Sequence, residues 1–216
     1  MKKALSFLIV LIFSLSSMAY TLQGSVKGYP KKVIEVQNLV NEEGKPTKLS
    51  DFKGKVVILY FGFTHCKHVC PTVTASLKRI SDALIEKGLK DKFQIVFITV
   101  DPNKDTPEVL KQYKESIGLD TFTFLTGKES DLKKVWEAYG IEVEEKEMCM
   151  EDHGEHHHHE GHEGHHECHG AKEKTIVHTP VVTFIIDKSG NIVEDFKGIY
   201  LPEDKMIQDI EYLIKK

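Results

Sequence analysis

The sequence has no concentrated basic face, no peroxidase-like Pro-Thr-Cys pattern and few cysteines, and each shortage narrows what the chain can do. Its 29 basic residues are outnumbered by 33 acidic ones, so nucleic-acid binding, which needs clustered Lys and Arg, is excluded. The strand-to-helix segment lacks the proline, threonine and cysteine of peroxide-reducing thiol enzymes, which excludes that chemistry as well. Only four cysteines occur in 216 residues. None lies near the leading apolar run, so a lipid-modified N-terminus would have no acceptor thiol.

That leading run is itself short. Lys2 and Lys3 precede the apolar stretch Ala4 to Leu15 and the small-residue stretch Ser16-Ser17-Met18-Ala19, a pattern that predicts a secretory signal over residues 1–19 with cleavage after Ala19. An uncleaved anchor helix is the rival reading, but the run falls short of the ~20 apolar residues that span a bilayer comfortably. The expected location is outside the cytoplasm, in a periplasm or on the outer face of the cytoplasmic membrane. Membrane association is open through this N-terminal segment. Loss of residues 1–19 removes two lysines and no acids and takes the formal charge from -4 to -6. That charge is concentrated, since residues 141–175 hold eleven acids and three bases.

Beyond the signal, strand and helix patterns alternate. A polar turn region around Gly44-Lys45-Pro46 and Leu49 to Lys55 feeds the run Val56 to Phe63, which reads as a central strand buried on both faces. Pro71 stands where a helix can start, and Val73, Leu77, Ile80 and Leu84 recur at helical spacing, predicting a helix from about Pro71 to Lys87. Phe93 to Val100 reads as a strand, Thr106 as a helix cap, and Val109, Leu110, Tyr113 and Ile117 as the buried stripe that follows. Thr121 to Leu125 reads as a strand. Ser130 is placed to cap a helix carrying Leu132, Val135, Trp136 and Tyr139, with Gly140 ending it. Val181 to Ile186 and Ile192 to Phe196 flank a hairpin turn, and Pro202 opens a last helix. The sum is an α/β sheet with helices on both faces, in the order of a thioredoxin-like fold. Between Glu142 and Thr175 the pattern dissolves into Glu, His and Gly, which cannot bury apolar surface, so residues 142–175 are expected to form a disordered His-rich insertion.

Chemistry concentrates in Gly62-Phe63-Thr64-His65-Cys66-Lys67-His68-Val69-Cys70-Pro71. Two thiols four positions apart, between a buried strand and the first turn of a helix, sit where unpaired backbone N–H groups favour thiolate. Spacing alone weighs a stabilising disulfide and a shared soft metal almost equally. Two thiolates with an imidazole suit copper, Cu(I) above all, whereas zinc normally takes four donors.

The stretch Phe61 to Cys66 with Val69-Cys70-Pro71 closely resembles the signature of the SCO family, copper proteins required for building cytochrome c oxidase. The likeness extends to Leu49 to Val57, to Thr99-Val100-Asp101-Pro102-Asn103-Lys104-Asp105-Thr106-Pro107 and to His178-Thr179, and so covers most of residues 33–216 apart from the insertion. The resemblance implies a thioredoxin-like fold and copper, Cu(I) and/or Cu(II), held by Cys66, Cys70 and His178. It also implies a partner, the copper-accepting subunit of the oxidase. Two positions depart from the family: Lys67-His68 replaces a usual Pro-Asp pair, and Val177 replaces an Asp before the ligand histidine. Both changes spare the donor atoms. His65 and His68 rank below His178 as third ligand. Asp101 and Asp105 read as a turn followed by a capped helix start.

The insertion offers Met148, Cys149, Met150, His153, His156, His157, His158, His159, His162, His165, His166, Cys168 and His169, a dense set of auxiliary donors for copper, with zinc and nickel as further candidates. Two functions compete. One is a metallochaperone that passes copper by ligand exchange. The other is a thiol-disulfide oxidoreductase that uses Cys66 and Cys70 on a copper-site partner's cysteines and itself needs a thiol reductant. Three residues between the cysteines, where thioredoxins have two, and the third donor favour the first.

Overall fold

The computed structural model describes residues 20–35, 37–67, 69–149 and 172–216, with only the backbone of Met148, Cys149, Lys172 and Glu173. The elements run β1 (Lys31–Lys32), β2 (Val40–Asn41), a short turn of 3-10 helix (Leu49–Phe52), β3 (Val56–Gly62), α1 (Val69–Glu86), a second such turn (Lys90–Lys92), β4 (Phe93–Thr99), α2 (Pro107–Ser116), β5 (Phe122–Thr126), α3 (Glu129–Tyr139), β6 (Glu142–Cys149), β7 (Lys172–Thr179), β8 (Val182–Ile186), β9 (Asn191–Lys197) and α4 (Glu203–Lys215). Seven strands form one sheet in the order β1-β9-β8-β3-β4-β5-β2. Within it β3, β4 and β5 are parallel, while β8 runs antiparallel to β3 and β9 antiparallel to β8.

Every residue of β3 is buried, as an uninterrupted apolar strand requires. Its side chains divide between two cores. Val56, Ile58 and Tyr60 join Val73, Leu77, Ile80 and Leu84 of α1 and Met206, Ile210 and Leu213 of α4. Val57, Leu59 and Phe61 join Leu132, Val135, Trp136 and Tyr139 of α3. Successive strand residues point to opposite faces, so both faces need helical cover, and the α/β thioredoxin-like arrangement supplies it.

Several boundaries differ from the sequence reading. Helix α1 begins at Val69, so Cys70 lies inside its first turn and Pro71 still removes no needed hydrogen bond. Thr106 caps α2 by accepting from Val109 N, and Gly140 ends α3 in the left-handed region at φ 67°. Ser130 is not the cap of α3, because the helix starts one residue earlier, after Lys128. The largest correction concerns residues 142–175. Glu142–Cys149 and Lys172–Thr179 are strands paired antiparallel in a separate two-stranded ribbon, so only the residues between them are left for an insertion. Ladder pairing uses backbone groups and tolerates charged side chains, and Lys174 pairs with Glu145 across this one at 3.5 Å. Residues 150–171 lie outside the described residues.

A strap, residues 20–29, crosses β9 and α4. The Tyr20 hydroxyl and Gln23 N–H both donate to Asp209, at 2.6 and 2.9 Å, Gly24 N–H donates to Glu194 at 2.9 Å, and the Tyr29 hydroxyl donates to Asp195 at 3.0 Å. All three carboxyl groups are buried. Gly24 permits the approach, since a Cβ there would stand 2.6 Å from the Glu194 carboxyl. Burial, with Asp209 adding to it, pushes Glu194 up to about 8. Among the described residues no helix is long and apolar enough to cross a membrane; the expected signal falls on residues 1–19, outside them.

Candidate metal centre

The centre is built at the end of β3 that meets the start of α1. Gly62 closes the strand where a Cβ would stand 2.8 Å from the Tyr60 ring and 3.0 Å from Phe97. The chain then turns, with Cys66 N–H donating to Phe63 O at 3.4 Å. Cys70 N–H, one of the orphan amides of the first helical turn, donates to Cys66 Sγ at 3.3 Å. The two sulfurs are thereby brought together as thiols in different surroundings: Cys66 is half-buried, and Cys70 is only 1% exposed. The hydrogen bond with Cys66, then burial, pushes the Cys70 thiol up. The buried Tyr60 hydroxyl has no hydrogen-bond partner among the described residues. It lies beside Cys70, and burial, with Cys70 adding to it, raises its pKa well above the usual value.

Asp105 does more here than the turn assigned to it from sequence. Its side chain is fully buried and accepts from Thr64 N–H at 3.2 Å, Thr64 Oγ1 at 2.5 Å and Thr99 Oγ1 at 2.6 Å. Burial raises its pKa against the lowering effect of those donors. Asp101 keeps the expected turn role, its carbonyl accepting Asp105 N–H at 2.9 Å. His65 is turned toward this cluster, with Nδ1 3.0 Å from Thr64 Oγ1 and 3.7 Å from Asp105, and its side chain is 52% exposed.

His178 lies in β7, paired in register with Val143 of β6. Val143 and Ile176 fasten the ribbon to the apolar cluster that also contains Cys66 and Cys70. The imidazole is 7% exposed, its Nδ1 has no hydrogen-bond partner among the described residues, and burial lowers its pKa to about 4. Its ring stands edge-on to Phe63, centroids 6.4 Å apart. Among the described residues no three His, Cys, Asp or Glu side chains are close enough to hold one ion, so a set of Cys66, Cys70 and His178 closes only with rearrangement. The donors themselves fit a soft cation: two neighbouring sulfurs and a neutral, buried imidazole nitrogen that has no partner among the described residues. Met148 and Cys149 end β6, while His68, Met150, Cys168 and the nine histidines from His153 to His169 lie outside the described residues.

A family model described as SCO1/SenC matches residues 27–215. The chain belongs to the SCO1/SenC family. An SCO2-like protein of Rickettsia typhi is 33% identical over 132 residues, 60% of this chain and 64% of that protein. The chain spans less than two thirds of the length of the curated SCO relatives it matches. Among solved SCO structures, apo Sco1 of Thermus thermophilus is 27% identical with a TM-score of 0.66, covering 91% of this chain and 99% of that one. Bradyrhizobium japonicum ScoI, solved with copper bound, is 25% identical with a TM-score of 0.63, covering 85% of this chain and 99% of that one.

Proposed function

We propose that the chain is a copper metallochaperone, in which Cys66, Cys70 and His178 hold the metal and pass it, outside the cytoplasm, to the copper-accepting subunit of cytochrome c oxidase. The observation that carries this reading is the His178 Nδ1, buried, neutral and without a hydrogen-bond partner among the described residues, on a ring set against Phe63 of the apolar cluster that contains the two thiols. An unsatisfied buried nitrogen costs stability unless a ligand uses it. The copper bound by the Bradyrhizobium relative supports the choice of metal. Release by ligand exchange leaves the copper oxidation state unchanged, and the thiolates recover their protons as the metal leaves.

The test is competitive Cu(I) titration with circular dichroism on protein lacking residues 147–171. Cys66→Ser, Cys70→Ser and His178→Ala should each abolish tight binding and leave the fold intact. Full-strength binding by His178→Ala would hand the third position to His65 or His68. A second reading, thiol–disulfide exchange on a copper-site partner, draws support from the unequal cysteines, one half-buried and one buried with a raised pKa. It predicts that the metal-free dithiol reduces a disulfide peptide of the partner while Cys66 and Cys70 become a disulfide. The donors from Met148 to His169 act in this proposal as an auxiliary metal-collecting segment.

A further inference from the structure

We propose that Asp105 is the positioning residue for Cys66, acting through Thr64 to hold the sulfur at the first turn of α1; its copper consequence rests on the function proposed above. Both Thr64 donors, N–H and hydroxyl, end on the Asp105 carboxyl. That carboxyl also accepts from the Thr99 hydroxyl, and the backbone of Asp105 is tied down by its N–H donating to Asp101 O. Thr99 is held in turn by Trp136, whose Nε1 donates to Thr99 O at 3.1 Å. The segment before Cys66 is thus pinned to Asp105, 41 residues away, in the connection between β4 and α2. Thr64 precedes Cys66 by two positions inside the turn closed by Cys66 N–H and Phe63 O, so its placement fixes where the sulfur meets Cys70 N–H. A buried carboxyl accepting three donors is more than a turn beginning α2 requires, because Thr106 already caps that helix.

The experiment uses the full chain with Cys149→Ser and Cys168→Ser, so that every thiol signal comes from Cys66 and Cys70. Asp105→Asn keeps the size of the side chain and turns an amide toward donors that need acceptors. Thr64→Val removes only the hydroxyl, and Thr64→Ser restores it. Three readouts are taken: the ratio of Cys66 to Cys70 alkylation by iodoacetamide, mapped by mass spectrometry; the Cys66–Cys70 reduction potential in glutathione buffers; and the thiolate-to-Cu(II) charge-transfer absorption. Asp105→Asn and Thr64→Val should each change the alkylation ratio by about tenfold, as loss of one buried hydrogen bond allows, with Thr64→Ser close to the parent. The potential and the charge-transfer band should shift with them. A merely structural role would lower stability and leave the ratio and potential of the folded protein in place, and that result overturns the proposal. If Asp105→Asn does not fold, Thr64→Val decides alone by the same criteria. Failure of the copper reading is separate: the parent would show no thiolate-to-copper band, while the alkylation ratio and potential still decide the role of Asp105.

Discussion

Acidification should unsettle the metal-free protein at His178, and by an amount the structure sets. An unfolded histidine takes a proton near pH ~6.5, but burial lowers His178 to about 4. Between those values the unfolded chain binds a proton that the folded imidazole refuses. The contribution is therefore complete above the unfolded pKa and is lost as pH falls toward the folded one. The slope is about 1.4 kcal/mol per pH unit, about 3 kcal/mol across the window. Domains are stable by roughly 5–15 kcal/mol, so the loss is large. His178→Gln keeps a polar side chain that cannot be protonated. Urea unfolding of the reduced, metal-free protein and of this variant, from pH 7.5 to 4.5, isolates the effect, because every other histidine is common to both. The difference in unfolding free energy should move steadily in the variant's favour as pH falls, by about 2–3 kcal/mol. Parallel curves would refute a buried, neutral imidazole. The same neutrality bears on metal. From pH 7 to 5 the buried neutral imidazole should add no proton of its own to those that Cu(I) binding releases.

Copper binding at the core should require reduced cysteines, because a disulfide sulfur lacks the charge that makes the bond; equal affinity before and after reduction would remove Cys66 and Cys70 from the site. Glu194→Gln should stabilise the protein increasingly as pH rises. The wild-type carboxyl, raised to about 8, holds a proton in the folded state that the unfolded chain releases near pH ~4.3. That penalty grows between the two values, and urea unfolding at pH 5, 7 and 9 would expose a variant with no such trend. Deleting residues 147–171 should lower the number of copper and zinc ions bound at pH 7.5 and matter little at pH 5.5, where ordinary imidazoles are protonated. Unchanged stoichiometry on deletion, or extra sites undiminished at pH 5.5, would end the metal-collecting role.

Much of the core was legible because burial and periodicity are local signals. The run Val56 to Phe63 announced the central strand, and Val73, Leu77, Ile80 and Leu84 announced the face of α1, which packs as expected. What was missed depends on partners distant in the chain. The ribbon of β6 and β7 is made by backbone pairing between charged segments, so apolar periodicity gave no trace of it. The bond from Thr64 to Asp105 joins residues 41 apart, and Asp105 could carry a turn explanation that accounted for its position without the contact. For the site, the cysteine motif located two donors that do meet. His178 was picked out by resemblance alone, and the structure seats it in a strand against Phe63. A ring's orientation follows from its packing neighbours, which spacing does not encode.

The strap marks the end of the molecule that lies away from the thiols. Tyr20 stacks on Tyr212, ring centroids 4.5 Å apart, and the neighbouring Glu211 pairs with Lys87, just past the end of α1. The thiols stand at the opposite end of that helix, whose 18 residues span about 27 Å at ~1.5 Å each. The described fold therefore begins at Tyr20, about a helix length from the cysteines. Contacts made at Tyr20 and contacts made at the thiols fall on different surfaces, so neither need displace the other.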